Sequence, residues 1–153
     1  MKSRTLLATI AGLCIGFVLF ALYLQRYHDI LPCPLCVLQR YAYIALAVIG
    51  VAGALWIAPR IASALAFVAA AAGAGTAAYQ LWVESHPSIS CGGDPLERSL
   101  NQLFTAKLWP FVFRSEGFCT DVYEPILGLT TPQWSLAWFV LFALTFLWVM
   151  LRR

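Results

Sequence analysis

The chain has 153 residues, of which 61% are hydrophobic and only 11% are charged. Soluble domains are about 45–50% apolar and about 25% charged, so this composition excludes a soluble globule and indicates a membrane protein. The net charge of +3 is not gathered in a basic run or a basic helix stripe, which excludes a nucleic-acid binder. At this length we expect one membrane domain, residues 1–153, rather than two domains.

Four apolar runs are long enough to cross a bilayer, which takes about 20 helical residues. They cover residues 6–24, 37–58, 61–83 and 134–151. The first run follows Lys2 and Arg4, but it is longer than the apolar part of a cleaved signal peptide, so we interpret it as a retained span. Close helix packing is favoured by small residues at Gly50, Gly53, Gly73 and Gly75. The sequence predicts an all-α membrane protein, a four-helix transmembrane bundle.

Charges are distributed unequally between the two ends of these spans. The segments 1–5, 59–60 and 151–153 contain basic residues and no acid, whereas all 7 acids lie in the other connections. Basic residues concentrate on the cytoplasmic side of membrane proteins. We therefore expect both termini in the cytoplasm and the loops 25–36 and 84–133 on the outer face.

Four of the 5 cysteines lie in or beside the outer loops: Cys33, Cys36, Cys91 and Cys119. If that face is oxidising, the natural interpretation is disulfides. Four cysteines can be paired in three ways. The fifth, Cys14, lies within an apolar span, where we interpret it as a packing residue.

The long outer loop contains an amphipathic pattern. Between Leu96 and Phe113, apolar residues recur at helical spacing with polar residues between them. This pattern predicts a short amphipathic helix on the membrane surface. Trp109 and Trp134 are expected at the level of the lipid headgroups.

A Cys-x-x-Cys motif, Cys33 to Cys36, opens the second apolar run. At a helix start, both sulfurs lie near free backbone N–H groups and the positive end of the helix dipole, which favours the reactive thiolate. Pro34 suits the first helical turn, where its missing N–H costs little. At about 100° per residue, Arg40 falls on the same stripe as both cysteines. Two explanations for its buried charge stay open. Either Arg40 has an anionic partner, which could be a thiolate or a reduced ring oxygen, or its side chain snorkels to the interface.

The sequence also limits the electron acceptor of such a dithiol. It has no Gly-rich phosphate loop and no His pair at ligand spacing, so nicotinamide and haem are not indicated. A dithiol at the rim of the bilayer is within reach of a lipid-soluble quinone, which aromatic residues and a buried cation can hold. Two other interpretations stay open: a zinc site of four thiolates, and a scaffold with two structural disulfides.

The chain resembles the DsbB family, bacterial inner-membrane enzymes that reoxidise the periplasmic thiol oxidase DsbA. The resemblance covers nearly the whole chain and is carried by four motifs: Pro32-Cys33-Pro34-Leu35-Cys36 with Gln39-Arg40-Tyr41, Leu108-Trp109-Pro110, Gly117-Phe118-Cys119 and Pro132-Gln133-Trp134. It implies a periplasmic DsbA-like partner and a membrane quinone, ubiquinone or menaquinone, as acceptor. The DsbA–DsbB–quinone relay keeps the bacterial periplasm oxidising.

The resemblance also implies roles for the cysteines. Cys33 and Cys36 become the quinone-linked pair, with the Cys36 sulfur facing the quinone. Cys91 takes the mixed disulfide with the soluble partner, and Cys119 resolves it by exchange with Cys33. The polar run 92–94 after Cys91 departs from the family pattern and leaves the contacts with the partner undefined.

Two further residues are implied to act on the quinone. Arg40 favours the Cys36 thiolate and its interaction with the quinone. Gln80 occupies a position where the family often has His or Gln near the quinone, although a polar residue at the end of a span is the alternative. His86, in the outer loop beside Pro87, is expected to be solvated.

Overall fold

The computed structural model describes residues 3–86, 95–119 and 125–151. These residues form seven helices: α1 (Ser3–Tyr27), α2 (Pro34–Leu55), α3 (Pro59–Glu84), α4 (Pro95–Gln102), α5 (Phe104–Leu108), α6 (Pro110–Phe113) and α7 (Thr131–Leu151). Four of them, α1, α2, α3 and α7, are long and apolar enough to cross a membrane. The predicted all-α membrane bundle of four spans is confirmed.

Prolines decide where the second and third spans begin. α2 starts at Pro34 rather than at residue 37, with the proline in the first turn, where no N–H is required. α2 ends at Leu55, three residues before the predicted end. Pro59 opens α3 in the same way and holds Ala58 in an extended conformation, φ −58° and ψ 129°, because proline disfavours a helical residue before it.

The long helices pack in the order α1–α2–α3–α7. Close approach depends on glycine where α3 meets α7, since a Cβ on Gly73 would lie 2.5 Å from the ring of Phe139. A Cβ on Gly50 would lie 2.9 Å from the Cβ of Ala11 in α1. The prediction is wrong for Gly75, because no atom lies within 4 Å of the position of its Cβ.

An aromatic core fills the bundle. The rings of Tyr43 and Phe139 stack with centroids 4.2 Å apart, and Phe17 packs edge-on against Tyr43 at 5.6 Å. Cys14 is fully buried in the same cluster as a free thiol. It is the packing residue that its position predicts.

The single amphipathic helix predicted between Leu96 and Phe113 is wrong, because three short helices occupy this segment. The first break lies at Leu103, whose ψ of 145° is extended. The second lies at Trp109, φ −130° and ψ 72°, immediately before Pro110. Proline removes a backbone donor and forces the preceding residue out of the helical region, which explains the second break.

Candidate redox site at the start of the second helix

Cys33 and Cys36 lie together at the N-terminus of α2. Cys33 is the N-cap residue, φ −76° and ψ 165°, and its sulfur accepts a hydrogen bond from the backbone N–H of Cys36 at 3.1 Å. The two Sγ atoms are 2.6 Å apart, and both cysteines are free. The prediction that the motif opens a helix is confirmed, and the pair is placed to form and break a disulfide.

The environment of the two thiols is unequal. The Cys33 side chain is buried, whereas Cys36 is half-buried. The hydrogen bond between the sulfurs, together with burial, raises the pKa of the Cys33 thiol above its ordinary value. Cys33 therefore keeps its proton at neutral pH.

Cys119 joins this pair from the outer loop. Cys33, Cys119, Leu35 and Val83 form one buried cluster, against which Cys36 packs. Cys119 is 1% exposed and is disulfide-bonded. Its sulfur is thus not available as a thiolate in this state, which argues against a zinc site of four thiolates.

The fourth predicted cysteine, Cys91, lies outside the described residues, as does the run 92–94 that departs from the family pattern. The roles implied for Cys91 stay predictions.

Backbone hydrogen bonds hold the segment before Cys119 against the start of α2. The N–H groups of Glu116 and Gly117 both donate to the carbonyl oxygen of Pro32 at 3.1 Å. A Cβ on Gly117 would lie 2.5 Å from the carbonyl oxygen of Leu31, so this approach requires glycine. Because Pro32 directly precedes Cys33, these contacts bring the loop cysteine to the helical pair.

Gln80 of α3 contacts Cys36, and its implied place near a quinone stays a prediction. Its Nε2 donates to Cys36 Sγ at 3.5 Å and to Glu84 Oε1 at 3.3 Å. Its Oε1 accepts a bond of 2.8 Å from Nε2 of Gln39, a residue that the sequence analysis did not single out. Both amides are buried. An uncharged polar residue inside an apolar run is the signal that could have identified Gln39.

Arg40 is buried one turn below Cys36, and the structure supplies it with neutral partners. Its NH1 donates to Gln25 Oε1 and to the carbonyl oxygen of Val112, both at 2.9 Å. Gln25 also donates to the carbonyl oxygen of Phe111 at 3.2 Å, so these side chains tie α6 to α1 and α2. No carboxylate of the described residues forms an ion pair with Arg40. Within the described part of the chain, its charge is therefore not neutralised by an acidic side chain.

A cavity of about 380 Å³ lies beside the pair, and we refer to it as the redox cavity. Its polar lining includes four of the predicted site residues: Cys33, Cys36, Arg40 and Gln80. Most of the other lining residues are apolar or aromatic and come from α1, α2, α7 and the segment before α7. Cys119 is not among the lining residues, although its neighbour Phe118 is.

The expected place of Trp109 and Trp134 at the lipid headgroups stays a prediction. Trp109 is exposed. The indole N–H of Trp134 donates to the carbonyl oxygen of Ile126 at 2.9 Å. His86 is exposed, as expected, and stacks on Trp82 with ring centroids 4.7 Å apart.

Comparison with known proteins gives a consistent result over the whole chain. The family of disulfide bond formation protein DsbB matches residues 3–149. Disulfide bond formation protein B of Herminiimonas arsenicoxydans is 46% identical over 99% of this chain and 98% of that protein. The proteins of the same name from Ralstonia nicotianae and Cupriavidus metallidurans are 42% and 40% identical, over 99% of this chain and 96% and 95% of their own lengths. The chain therefore belongs to the DsbB family of membrane proteins that form disulfide bonds.

Proposed function

We propose that the protein is a protein-disulfide:quinone oxidoreductase of the bacterial inner membrane. It reoxidises a periplasmic DsbA-like dithiol protein and passes the electrons to ubiquinone or menaquinone. The observation that carries this proposal is the place of the Cys33–Cys36 pair. On one side the pair lines the redox cavity, and on the other it packs against the disulfide-bonded Cys119.

The redox cavity has the size and lining that a quinone requires. Sites for small molecules occupy about 300–1,000 Å³ and are mostly apolar with a few polar groups. The rings of Phe17, Trp134 and Trp138 line the cavity and suit a flat ring, while Gln80 and Arg40 supply hydrogen-bond donors. When bound, a quinone takes up two electrons and two protons and becomes a quinol.

The first proposed exchange takes place on the outer loop. A thiolate of the reduced partner attacks Cys91 in the Cys91–Cys119 disulfide and releases the Cys119 sulfur. The second thiolate of the partner then closes the partner's disulfide and releases Cys91. Two electrons and two protons have thereby moved from the partner to the loop cysteines.

The second exchange moves these electrons to the helical pair. The Cys119 thiolate attacks Cys33 of an oxidised Cys33–Cys36 pair and breaks that bond, and Cys91 then closes the loop disulfide again. Cys33 and Cys119 are buried in one cluster, which supports this direction of attack. Cys36 leaves as a thiolate beside the Gln80 amide donor at 3.5 Å, and a good leaving thiolate accelerates exchange.

The last step re-forms the Cys33–Cys36 bond, and the two thiols release two electrons and two protons, which a quinone bound in the cavity would accept. Both cysteines line the cavity, and their Sγ atoms are 2.6 Å apart. Arg40 lines the same cavity with a charge that no described carboxylate neutralises, so it favours negative charge there.

The test uses purified protein, a short-chain ubiquinone and a reduced thioredoxin-like periplasmic partner, with quinone reduction followed by absorbance. Cys36→Ser should abolish quinone reduction, because Cys33 alone cannot re-form the disulfide that releases two electrons. Cys14→Ala is the matched control, since this free cysteine lies in the core away from the cavity, and its turnover should stay within about twofold of the parent. Full turnover in Cys36→Ser contradicts the proposal.

The proposed topology places both termini in the cytoplasm and the redox cysteines on the periplasmic side. In intact cells whose outer membrane has been permeabilised, a thiol reagent that cannot cross the inner membrane should label Cys36 after reduction. Labelling of Cys36 only after lysis contradicts this topology.

A further inference from the structure

One hydroxyl of the redox cavity has no use in the scheme above. Thr130 lines the cavity, and its Oγ1 is buried without a hydrogen-bond partner among the described residues. Such an atom costs free energy, because it has lost water and gained nothing in return. The other buried atom of this kind, Ser63 Oγ of α3, belongs to a residue that does not line the cavity.

The start of α7 has a backbone donor for this hydroxyl, the N–H of Gln133, but the hydrogen bond is not formed. Thr130 is the residue before α7, and its carbonyl oxygen accepts a bond from the N–H of Trp134 at 3.1 Å. Its own backbone N–H donates to Gln133 Oε1 at 2.9 Å, which is one half of a capping box. In the other half, the Thr hydroxyl accepts from the Gln133 N–H, and that bond is not made here. The hydroxyl is therefore left without a partner on a residue that lines the cavity.

We propose that Thr130 is a second polar anchor of the bound quinone, with its Oγ1–H donating a hydrogen bond to a quinone oxygen. This inference rests on the proposed function, and it adds a residue that the family resemblance did not indicate. Cys36 and Gln80 approach the cavity from α2 and α3, whereas Thr130 approaches it from the segment before α7. A flat ring with oxygens at opposite ends is thereby held from two parts of the fold.

The test measures quinone binding and stability separately from turnover. A short-chain ubiquinone is titrated into protein whose Cys33–Cys36 pair has been oxidised beforehand, so that no electrons are transferred. Quenching of tryptophan fluorescence reports binding, since Trp134 and Trp138 line the cavity. Thr130→Val keeps the shape and removes the hydroxyl, and it should raise the quinone Kd about fivefold, the loss of about one neutral hydrogen bond. Thr130→Ser should restore the parental Kd.

Thermal unfolding without quinone separates this role from a structural one. Thr130→Val should leave the Tm unchanged or raise it, because the hydroxyl makes no bond in the protein. Ser63→Ala is the matched control: it removes the other unpartnered hydroxyl, and it should leave the quinone Kd unchanged.

Three outcomes overturn the inference. An unchanged Kd in Thr130→Val, while the parent protein binds quinone, refutes the anchor and leaves the proposed function intact. A lowered Tm with an unchanged Kd shows that the hydroxyl caps α7 instead. Absence of quinone binding by the parent protein refutes the proposed function and the anchor together.

Discussion

Gln80 connects the redox pair to the bundle through a single side-chain amide, and removing this amide is the most informative perturbation. Its oxygen accepts the 2.8 Å bond from Gln39, and its nitrogen donates to Cys36 at 3.5 Å. Gln80 is 4% exposed and Gln39 is 5% exposed, so water can reach either amide only through the redox cavity that both residues line. Gln80→Leu removes the polar atoms with little change in volume.

Removing one glutamine of the pair should lower the free energy of unfolding, because the other glutamine loses its hydrogen-bond partner. In Gln80→Leu, the Gln39 amide becomes a buried donor without an acceptor, which costs about 1–3 kcal/mol. Gln39→Leu strands the Gln80 oxygen at a similar cost of about 1–3 kcal/mol. The double variant removes both partners and should be nearly neutral, since no polar group of this pair is stranded. The double-mutant cycle should therefore give a coupling energy of about 2–6 kcal/mol in magnitude, the sum of the two single losses.

The effect on electron transfer follows from the other end of the amide. A hydrogen bond to a charged group contributes about 1.5–3 kcal/mol, so a Cys36 thiolate without the Gln80 donor is less stable by about that amount. Quinone reduction should slow about 10- to 100-fold in Gln80→Leu and in the double variant. Gln39→Leu retains the donor, and its rate should fall less.

Two measurements on the four proteins test this reasoning. Equilibrium unfolding in mixed micelles gives the free energies for the cycle, and stopped-flow absorbance gives the rate of quinone reduction by protein reduced beforehand. Additive losses of stability in the double variant refute the stranded-donor argument. A Gln80→Leu rate equal to that of Gln39→Leu refutes the role of the amide at Cys36.

Two further predictions concern glycines. Gly73→Ala should destabilise the bundle by about 1–3 kcal/mol, because the new Cβ would lie 2.5 Å from the Phe139 ring. Gly75→Ala is the matched control. Its new Cβ meets nothing within 4 Å, so the substitution should stabilise α3 by about 0.5–1 kcal/mol through helix propensity. Equal effects of the two substitutions on unfolding in mixed micelles would contradict the packing argument. In Gly117→Ala, the new Cβ would lie 2.5 Å from the carbonyl oxygen of Leu31, so the loop should be displaced. Disulfide exchange between loop and helix should slow at least about fivefold. Quinone reduction by protein that has been reduced beforehand should not change. Quenched-flow alkylation follows the exchange, and an unchanged exchange rate shows that this contact does not set the approach of Cys119.

The loop between α3 and α7 shows why the predicted amphipathic helix failed. Of the apolar positions that recur at helical spacing, Leu100 is buried, whereas Leu103, Phe104, Leu108 and Phe111 are exposed. Ala106 and Phe113 are buried instead. The breaks let the chain fold back, and the Asn101 side chain pairs with the backbone of Ser115 at 2.9 and 3.0 Å. Periodicity along one helix axis does not report whether that axis continues through a proline, and once the axis breaks, different side chains become covered.

The sequence by itself determined the features that depend on neighbours along the chain. The spans follow from the length of the apolar runs, and the redox pair opens α2 because Pro34 and the Cys33 cap act within one turn. The shared stripe with Arg40 follows from helical geometry alone.

Only the tertiary structure decided the partners that come from other helices. Gln80 contacts Cys36 across 44 residues of sequence, and Arg40 meets a carbonyl oxygen 72 residues away. These contacts depend on the rotation of each helix about its axis and on the distance between helices. Glycines and aromatic side chains at the helix contacts set both. No local pattern contains that information, so the lining of the redox cavity became visible only when the helices were assembled.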